Sequence, residues 1–472
     1  MKTRLALLLC VIAVSVYAQS PGTFAAAGNM SSPRVFHSAT LLPNGKVLIT
    51  GGLSPLIGAA LTLATAELYG PASGTFGGAG RMNSARSQHS ATLLSNGKVL
   101  IAGGELSNEP LISAELYDPA TGVFTPTGNM TLPRAGNFAM LLPTGAVLIT
   151  GADGAGSESS ELYNPETGTF TATGSCPVVY NYGNSGSATL LADGRVLLVG
   201  YYTNLAALYD PLSGQCSPVG SARRSRPSAT LLADGKVLFA GGNDDPGEDA
   251  GADLFNSSTG IFSPTGSMSA SRADHTATLL PDGRVLIAGS QGDGGNTQAS
   301  AELYDPAEGV FIPTGAMNTS RGLASATLLL NGQVLFAGGI QYLNSPLASA
   351  EVYRPAVNIA APALFTLPGG AQEQGAVWNG VTGQIASSAK AATAGDVLSM
   401  YTTSLFEGGV IPPQVAIGGK LAQILFFGDA PGYPGYFQVN FVVPSGVAPG
   451  TSVPIRLTYL GRSSNAVTLG VQ

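Results

Sequence analysis

The sequence predicts an all-β protein in which one four-stranded unit recurs seven times along most of the chain. Three observations predict this fold class. A phrase of the type SATLLPNGKVLITGG recurs seven times. Most copies join two short apolar runs through Asn-Gly or Asp-Gly, the strongest local pattern for a β-hairpin. The composition, with 10% charged residues and 64 Gly, is untypical of coiled coils and of charged disordered chains.

The N-terminal residues 1–18 are predicted to be an export signal. Lys2 and Arg4 precede an apolar run, and Ala18 is the predicted cleavage residue before Gln19. This run is too short to span a bilayer and no later run is long enough, so no membrane span is predicted in the mature chain. We therefore expect a secreted, periplasmic or cell-surface protein.

The charge balance argues against a nucleic-acid partner. The chain has 21 Lys and Arg against 28 Asp and Glu, a net charge of −7. It also lacks the clustered basic residues that contact phosphates, so we exclude nucleic acids from the expected partners.

The repeat predicts four strands in each copy. After the first hairpin, an alternating AELY run predicts a third strand, and a fourth strand carrying Phe follows a DPATG turn. One such sheet cannot bury both of its faces, so successive copies must pack on one another. Successive copies are 41 to 52 residues apart, with equivalent residues at Thr40, Thr92, Met140, Thr189, Thr230, Thr278 and Thr327.

This pattern of four strands, a double glycine and a period near 50 residues resembles the kelch repeat over about residues 22–355. It is similar to secreted bacterial kelch proteins and to the central propeller of galactose oxidase. The resemblance implies a seven-bladed kelch-type β-propeller over residues 19–357. A fourth-strand phrase around Phe24 precedes the first copy, and the last copy lacks one, so the N-terminal strand is predicted to complete the last blade.

Residues 358–472 are predicted to form a small C-terminal β-sandwich. Short apolar runs such as DVLSMYTTSL and YFQVNFVVPSG alternate with Gly and Pro turns, and this spacing suits a sandwich. The stretch resembles an immunoglobulin-like module. Trp378, the only Trp, is expected in the core of this module rather than on a binding surface.

Arginine and acidic residues recur together in every copy except the fourth, which lacks both. Joint loss predicts an ion pair in each remaining copy, because removal of one partner would leave a buried charge uncompensated. These pairs are expected to be structural. The arginines are Arg34, Arg86, Arg134, Arg224, Arg272 and Arg321, and the acids are Glu67, Glu115, Glu161, Asp253, Glu302 and Glu351.

The fourth copy is predicted to contain a disulfide. Cleavage of the export signal removes Cys10 and leaves Cys176 and Cys216. These two cysteines occupy positions that hold Met and Phe in most other copies. An even pair in an oxidising compartment predicts that Cys176 and Cys216 are bonded.

No catalytic residue is predicted. Galactose oxidase binds copper through two His and two Tyr, one of them cross-linked to Cys, but His37, His89 and His275 all share one repeat position. That shared position predicts a structural role rather than a metal site. Nucleophile motifs of serine hydrolases are also missing from the sequence. No cofactor is predicted, apart from Ca²⁺ as one alternative.

The loops after the double glycine differ in every copy and are therefore the predicted binding site. Five acids there are candidate ligands for Ca²⁺ or a cationic partner, namely Asp244, Asp245, Glu248, Asp249 and Asp293. Three tyrosines there are candidates for stacking on a sugar ring, namely Tyr201, Tyr202 and Tyr342. Solvated loops without a ligand remain the alternative for each residue.

Three functions stay open. The first is a secreted, non-enzymatic binding or scaffolding protein whose propeller face binds a protein or a carbohydrate. The second is a propeller-type oxidoreductase or glycan-active enzyme without the galactose oxidase copper site. The third is a structural cell-surface protein. The missing catalytic constellation favours the first.

Overall fold

A computed structural model describes residues 22–56, 59–151, 159–176, 186–200, 205–224, 226–244, 247–291, 296–341, 345–356, 359–367, 374–406 and 409–472. All regular elements in these ranges are β-strands, which confirms the predicted all-β class. Within the same ranges there is no helix of the length and apolarity that a membrane crossing requires.

The strands are short and are numbered here in chain order. Those of the first three copies, preceded by one N-terminal strand, are β1 (Thr23–Ala26), β2 (Ser38–Leu41), β3 (Val47–Thr50), β4 (Leu53–Leu56), β5 (Ala59–Thr62), β6 (Thr65–Gly70), β7 (Thr75–Arg81), β8 (Ser90–Leu93), β9 (Val99–Ala102), β10 (Glu105–Leu106), β11 (Glu109–Pro110), β12 (Ala114–Asp118), β13 (Val123–Pro126), β14 (Phe138–Leu141), β15 (Val147–Thr150), β16 (Ser160–Asn164) and β17 (Thr169–Thr173).

The last four copies continue the pattern. Their strands are β18 (Ser187–Leu190), β19 (Val196–Val199), β20 (Leu205–Asp210), β21 (Gln215–Ser221), β22 (Ser228–Leu231), β23 (Lys236–Ala240), β24 (Asn243–Asp244), β25 (Gly247–Glu248), β26 (Ala252–Asn256), β27 (Ile261–Pro264), β28 (Thr276–Leu279), β29 (Val285–Ala288), β30 (Ala301–Asp305), β31 (Val310–Pro313), β32 (Ser325–Leu328), β33 (Val334–Ala337), β34 (Ile340–Gln341), β35 (Ser345–Pro346) and β36 (Ala350–Arg354).

Each copy forms one antiparallel four-stranded sheet. The orders are β2-β3-β6-β7, β8-β9-β12-β13, β14-β15-β16-β17, β18-β19-β20-β21, β22-β23-β26-β27 and β28-β29-β30-β31, and the seventh sheet is β32-β33-β36-β1. In the last sheet β1 pairs with β36, so strands from distant parts of the chain share one sheet. Two-stranded hairpins that the sequence did not predict extend the variable loops of four copies, namely β4–β5, β10–β11, β24–β25 and β34–β35.

The first strand of each sheet, the inner strand, contacts the inner strands of the two neighbouring sheets. These contacts run in a closed cycle from β2 through β8, β14, β18, β22, β28 and β32 back to β2. The cores lie between sheets, because the second strands are buried, apart from Lys236 at the start of β23, and pack across the seams. At the seam that closes the cycle, Val47 and Ile49 of the first copy pack with Leu335 and Ala337 of the seventh.

The ring of sheets has two faces. We call the edge with the β2–β3 turn and its equivalents the turn face. The opposite edge, with the variable loops and the segments that lead into the inner strands, is the loop face. Left-handed glycines such as Gly45 (φ 82°) close the turns, as Asn-Gly and Asp-Gly turns require.

The rest of the chain, which we call the C-terminal unit, contains two further sheets. One has the order β37-β38-β42-β41, and the other has the order β40-β39-β43-β44 with β45 paired to β43. The strands are β37 (Val377–Asn379), β38 (Val397–Thr402), β39 (Gln414–Ile417), β40 (Lys420–Leu421), β41 (Gln423–Asp429), β42 (Phe437–Val442), β43 (Gly450–Tyr459), β44 (Arg462–Ser463) and β45 (Val467–Val471).

One buried cluster joins these two sheets, with Leu398 and Val439 from the first and Ile455 from the second. Trp378 does not belong to this cluster, contrary to the prediction from the sequence. It is partly exposed and follows the buried Val377 on β37, so its side chain lies on the opposite side of the sheet.

Candidate functional site

The C-terminal unit lies against the turn face. Its backbone amides bond to carbonyls in the turns of the repeats, from Leu421 to Ser95 (2.7 Å) and from Val410 to Ala233 (3.0 Å). These contacts involve turns of the second and fifth copies, so the unit reaches across much of that face. The loop face lies on the other side of the ring.

One residue from each copy lies at the centre of the loop face. It follows the repeat arginine, or the residue equivalent to that arginine, by two positions, and it lies just before the inner strand. We call these residues the mouth residues. All six described ones have φ in the left-handed region, between 50° and 68°. They are Phe36, Gln88, Gly136, Arg226, Asp274 and Leu323, and the fourth-copy equivalent falls outside the described residues.

Backbone hydrogen bonds join mouth residues of adjacent copies. Gln88 N donates to Phe36 O (2.9 Å), and Gly136 N donates to Gln88 O (2.8 Å). Leu323 N likewise donates to Asp274 O (3.0 Å). The mouth residues directly precede the inner strands, which close into a cycle, so they lie around the axis of that cycle.

The mouth residues have very different side chains. Arg226 Nη2 donates to Asp274 Oδ1 (2.7 Å) across a seam, and Gln88 Nε2 donates to Glu105 Oε1 (2.9 Å). Burial raises the pKa of Asp274, and the Arg226 guanidinium opposes that rise. Phe36 is 37% exposed, and its backbone carbonyl accepts from Gln88 N. The mouth thus combines an aromatic ring with oriented hydrogen-bonding groups, a mixture typical of ligand sites.

The left-handed conformation at the mouth is costly for side chains such as Phe and Leu, at about 1–2 kcal/mol per residue. Residues held in such conformations cluster at ligand sites. The sequence does contain a signal for this position. Within the frame S-x-R-x-x-H and its variants, the position before the His slot changes chemistry in every copy.

The structure places all six predicted arginine–carboxylate pairs within hydrogen-bond distance. Arg86 is fully buried, and its Nη1 also donates to Gly103 O (2.6 Å) in its own sheet. Its backbone carbonyl accepts from Gly52 N (2.9 Å) of the preceding copy, so the residue fastens two sheets. The pair distances are Arg34–Glu67 2.7 Å, Arg86–Glu115 2.9 Å, Arg134–Glu161 2.9 Å, Arg224–Asp253 3.1 Å, Arg272–Glu302 3.1 Å and Arg321–Glu351 2.9 Å.

The carboxylates of these pairs also hold the segment that leads into the inner strand. Glu351 accepts from Asn318 N (2.7 Å) and Thr319 N (2.9 Å) as well as from Arg321. Burial works against ionisation of Glu351, but these hydrogen bonds keep its pKa below the ordinary value. The Glu351 carboxylate is therefore occupied by contacts within the fold.

The fourth copy, which lacks the ion pair, has a disulfide between the positions that hold Met and Phe in most other copies. Cys176 precedes the lead-in segment and is joined to Cys216 on β21, with Cα atoms 5.2 Å apart. The bond thus attaches Cys176 to the sheet of the fourth copy, in which the arginine–carboxylate pair is missing.

The three histidines lie in seams between sheets and do not converge. His37 Nε2 bonds to Ser325 Oγ (2.9 Å), and His89 Nε2 bonds to Thr50 Oγ1 (2.8 Å). His275 Nε2 bonds to Ser228 Oγ (2.8 Å) in the same manner. Burial, with a smaller contribution from a nearby arginine, lowers the pKa of His37 and His275 to about 3, so both rings are neutral near pH 7.

The predicted loop residues are described only in part. Asp249 pairs with Arg224, and its Oδ1 accepts from Gly251 N (2.8 Å), so its carboxylate is turned into the fold rather than offered to a ligand. Asp244 and Glu248 belong to the β24–β25 hairpin, of which only the backbone is described. The remaining candidates lie outside the described residues, namely Asp245, Asp293, Tyr201, Tyr202 and Tyr342.

Among the described residues, no group of three or more His, Cys, Asp or Glu side chains is close enough to hold a metal ion. The described residues therefore bring together arginine–carboxylate pairs and mouth residues, but no such group of metal donors.

Comparison with known proteins gives the fold but no family. No family model matches the chain, and no curated protein matches it either. A solved structure of similar fold is a fungal alcohol oxidase of the AA5 family, in complex with copper. The two chains share 15% identity with a TM-score of 0.62, over 96% of this chain and 99% of the other. The chain is thus similar in fold to a propeller-type, galactose-oxidase-like oxidase.

Proposed function

We propose that the seven repeat sheets are the blades of a seven-bladed propeller over residues 19–357, followed by an immunoglobulin-like sandwich over residues 358–472. The closed cycle of inner strands supports the propeller, and the core shared by two sheets supports the sandwich. We further propose that residues 1–18 are removed on export, with cleavage after Ala18.

We propose that the protein is a secreted, non-enzymatic binding protein whose loop face binds a protein or a carbohydrate. The single observation that carries this proposal is the set of mouth residues. Six positions with the same left-handed backbone hold six different residue types, five of them with side chains, at the centre of one face. A rigid scaffold with variable residues at one site is typical of recognition surfaces.

The donor set of this chain does not fit a copper centre of the galactose oxidase type. Such a centre needs two His near two Tyr, whereas His37, His89 and His275 bond to hydroxyls in three separate seams. Seam packing also surrounds each ring, since its Cε1 approaches a glycine of the preceding sheet. We therefore derive no reaction step through copper.

A binding screen of mature residues 19–472 against a glycan array and candidate proteins tests this function. Once a ligand is found, Phe36→Ala and Gln88→Ala should each weaken binding about tenfold, as expected for central interface residues. Leu212→Ala is the matched control, because Leu212 is 89% exposed in a turn-face loop. Unchanged binding by both mouth variants, together with loss of binding by turn-face variants, would place the site elsewhere.

A propeller-type oxidoreductase is the second candidate, favoured by the fold shared with an alcohol oxidase. Alcohol-dependent oxygen consumption by the mature chain, measured with and without added copper, tests it. Copper retention after dialysis, measured by mass spectrometry, gives a readout that does not depend on turnover. A structural surface protein is the third candidate, and retention on isolated cell walls would favour it.

A further inference from the structure

The four-stranded sheet of the C-terminal unit has a face that points away from its core. Along β38, Leu398, Met400 and Thr402 are buried, whereas the residues between them are partly exposed. The same alternation holds along β42, where Phe437, Val439 and Phe441 are buried. Alternation of this kind places the intervening side chains together on the outer side of the sheet.

Aromatic rings are concentrated on this outer side. Trp378 contacts Tyr401 with ring centres 5.5 Å apart, and Tyr401 contacts Tyr433 at 5.8 Å. Phe426 lies in the same cross-strand row as Trp378, at the other edge of the sheet. We call the surface formed by Trp378, Tyr401, Phe426, Tyr433 and the polar residues between them the aromatic face.

The rings of the aromatic face are accessible. Tyr433 is 59% exposed and Phe426 is 44% exposed, and Trp378 and Tyr401 are partly exposed. With strands about 4.8 Å apart, Trp378 and Phe426 stand about 14 Å from each other across the sheet. This distance suits an elongated ligand rather than a single ring.

Amide and hydroxyl groups fill the space between the aromatic edges. Ser399 Oγ donates to Asn440 Oδ1 (2.6 Å), and Gln438 Nε2 donates to the same oxygen (2.9 Å). These bonds orient the Asn440 side chain and leave its Nδ2 and the Gln438 Oε1 with hydrogen-bonding capacity. A ligand that covers the face must satisfy these groups, because their burial without partners is unfavourable.

The aromatic face is electrically neutral. Strands β37, β38 and β42 contain no Lys, Arg, Asp or Glu, and β41 contains only Asp429, at its end. Nucleic acids require cations, and protein interfaces are enriched in Arg. A lipid surface would leave the amide row without partners. A neutral polysaccharide suits this face, because it carries no charge and its hydroxyl groups can bond to the amides.

We propose that the aromatic face of the C-terminal unit binds a neutral polysaccharide. The rings of Trp378, Tyr433 and Phe426 stack on the apolar C–H faces of the sugar rings, and Gln438 and Asn440 bond to their hydroxyls. This site is on a different unit from the mouth residues, so it does not depend on the function proposed for the loop face.

The experiment uses mature residues 19–472 and a panel of neutral polysaccharides, namely cellulose, chitin, β-1,3-glucan, xylan and mannan. Sedimentation with the insoluble members and affinity electrophoresis with the soluble ones measure binding. Trp378 is the only Trp in the chain, so its fluorescence reports on this site alone. We expect at least one polysaccharide to bind and to shift the emission of Trp378.

Phe426→Ala and Tyr433→Ala should each weaken that binding about tenfold, since each removes one exposed ring. Val381→Ala is the matched control, because Val381 is 87% exposed in the turn after β37 and outside the aromatic face. Thermal unfolding curves that match the unmodified protein show that a variant is folded. Failure of every panel member to bind, binding without a change in Trp378 emission, or full affinity in both ring variants would each overturn the proposal.

Discussion

The ion pair of Arg86 and Glu115 offers a direct test of how the sheets are held together. Arg86 is fully buried, and its guanidinium donates to Glu115, to Gly103 O and to Ser113. Replacing Arg86 by Ala removes all of these bonds and leaves the Glu115 carboxylate buried without its cation. Removal of one partner from a buried pair costs about 3–5 kcal/mol.

The change in melting temperature follows from this free energy. If the repeat region of about 330 residues unfolds as one unit, its unfolding entropy is about 0.7 kcal/mol/K. The Arg86→Ala variant should therefore melt about 4–7 °C below the unmodified protein, measured by calorimetry. Arg272→Ala, which removes the equivalent arginine from the sixth copy, should behave alike.

Lys98→Ala is the matched control in the same copy. The Lys98–Asp118 pair has a distance of 3.5 Å, and its side chains are 40% and 31% exposed. Such a surface pair contributes about 0–1 kcal/mol, so this variant should melt within about 1 °C of the unmodified protein. A shift for Arg86→Ala no larger than that for Lys98→Ala would refute the structural role of the pairs.

Three further predictions follow. Replacing both Cys176 and Cys216 by Ser should lower the free energy of unfolding by about 4 kcal/mol on the loop-entropy model. The loss should appear as a lower melting temperature under oxidising conditions. Two free thiols in the exported protein, found by mass spectrometry, would contradict the bond. Because burial lowers the pKa of His37 and His275 to about 3, their contribution to stability is complete above about pH 6.5 and is lost as the pH falls towards 3. Changing both to Asn, the residue at this position in the third copy, should flatten a pH series of urea midpoints over that range, and an unaltered slope would argue against buried neutral rings. Gly51→Ala should destabilise the protein more than Gly74→Ala. Both glycines are left-handed, but only an added Cβ at Gly51 would meet Arg86 O, at 2.2 Å. Equal urea midpoints for the two variants would contradict tight packing at this seam.

The sequence predicted the parts of the fold that are local. Asn-Gly turns, apolar runs and the AELY alternation each specify one hairpin or one strand, so the four strands of a copy could be placed from neighbouring residues alone. The arginine–carboxylate partners were also accessible, because the fourth copy lacks both and the repeat offers an internal comparison. Mouth residues were missed because their position depends on closure of the ring, which no single copy contains.

Trp378 shows the same limit in the C-terminal unit. A lone Trp among apolar residues was expected in the core, as large aromatic residues usually are. Successive residues of β37 point to opposite sides of the sheet. The register with β38 places Val377 inward, opposite Met400, and Trp378 outward, opposite Ser399. Asp249 was predicted as a candidate ligand for Ca²⁺ or a cationic partner, but it pairs with Arg224 of its own copy. Both outcomes depend on contacts between segments that are distant in sequence.

The pairing of β1 with β36 has a consequence for synthesis of the chain. Thr23 and Arg354 are partners in this sheet, although about 330 residues separate them. At about 5–20 residues per second, β1 waits roughly 20–60 s before its partner has been made. Throughout that interval β1 lacks its partner strand, and an unpaired strand is a template for aggregation. A circular permutation that moves β1 behind β36 would turn this distant pairing into a hairpin, which closes in microseconds once both strands exist. The permuted chain should therefore refold faster and aggregate less than the natural order of strands, with the same set of contacts in the final sheet.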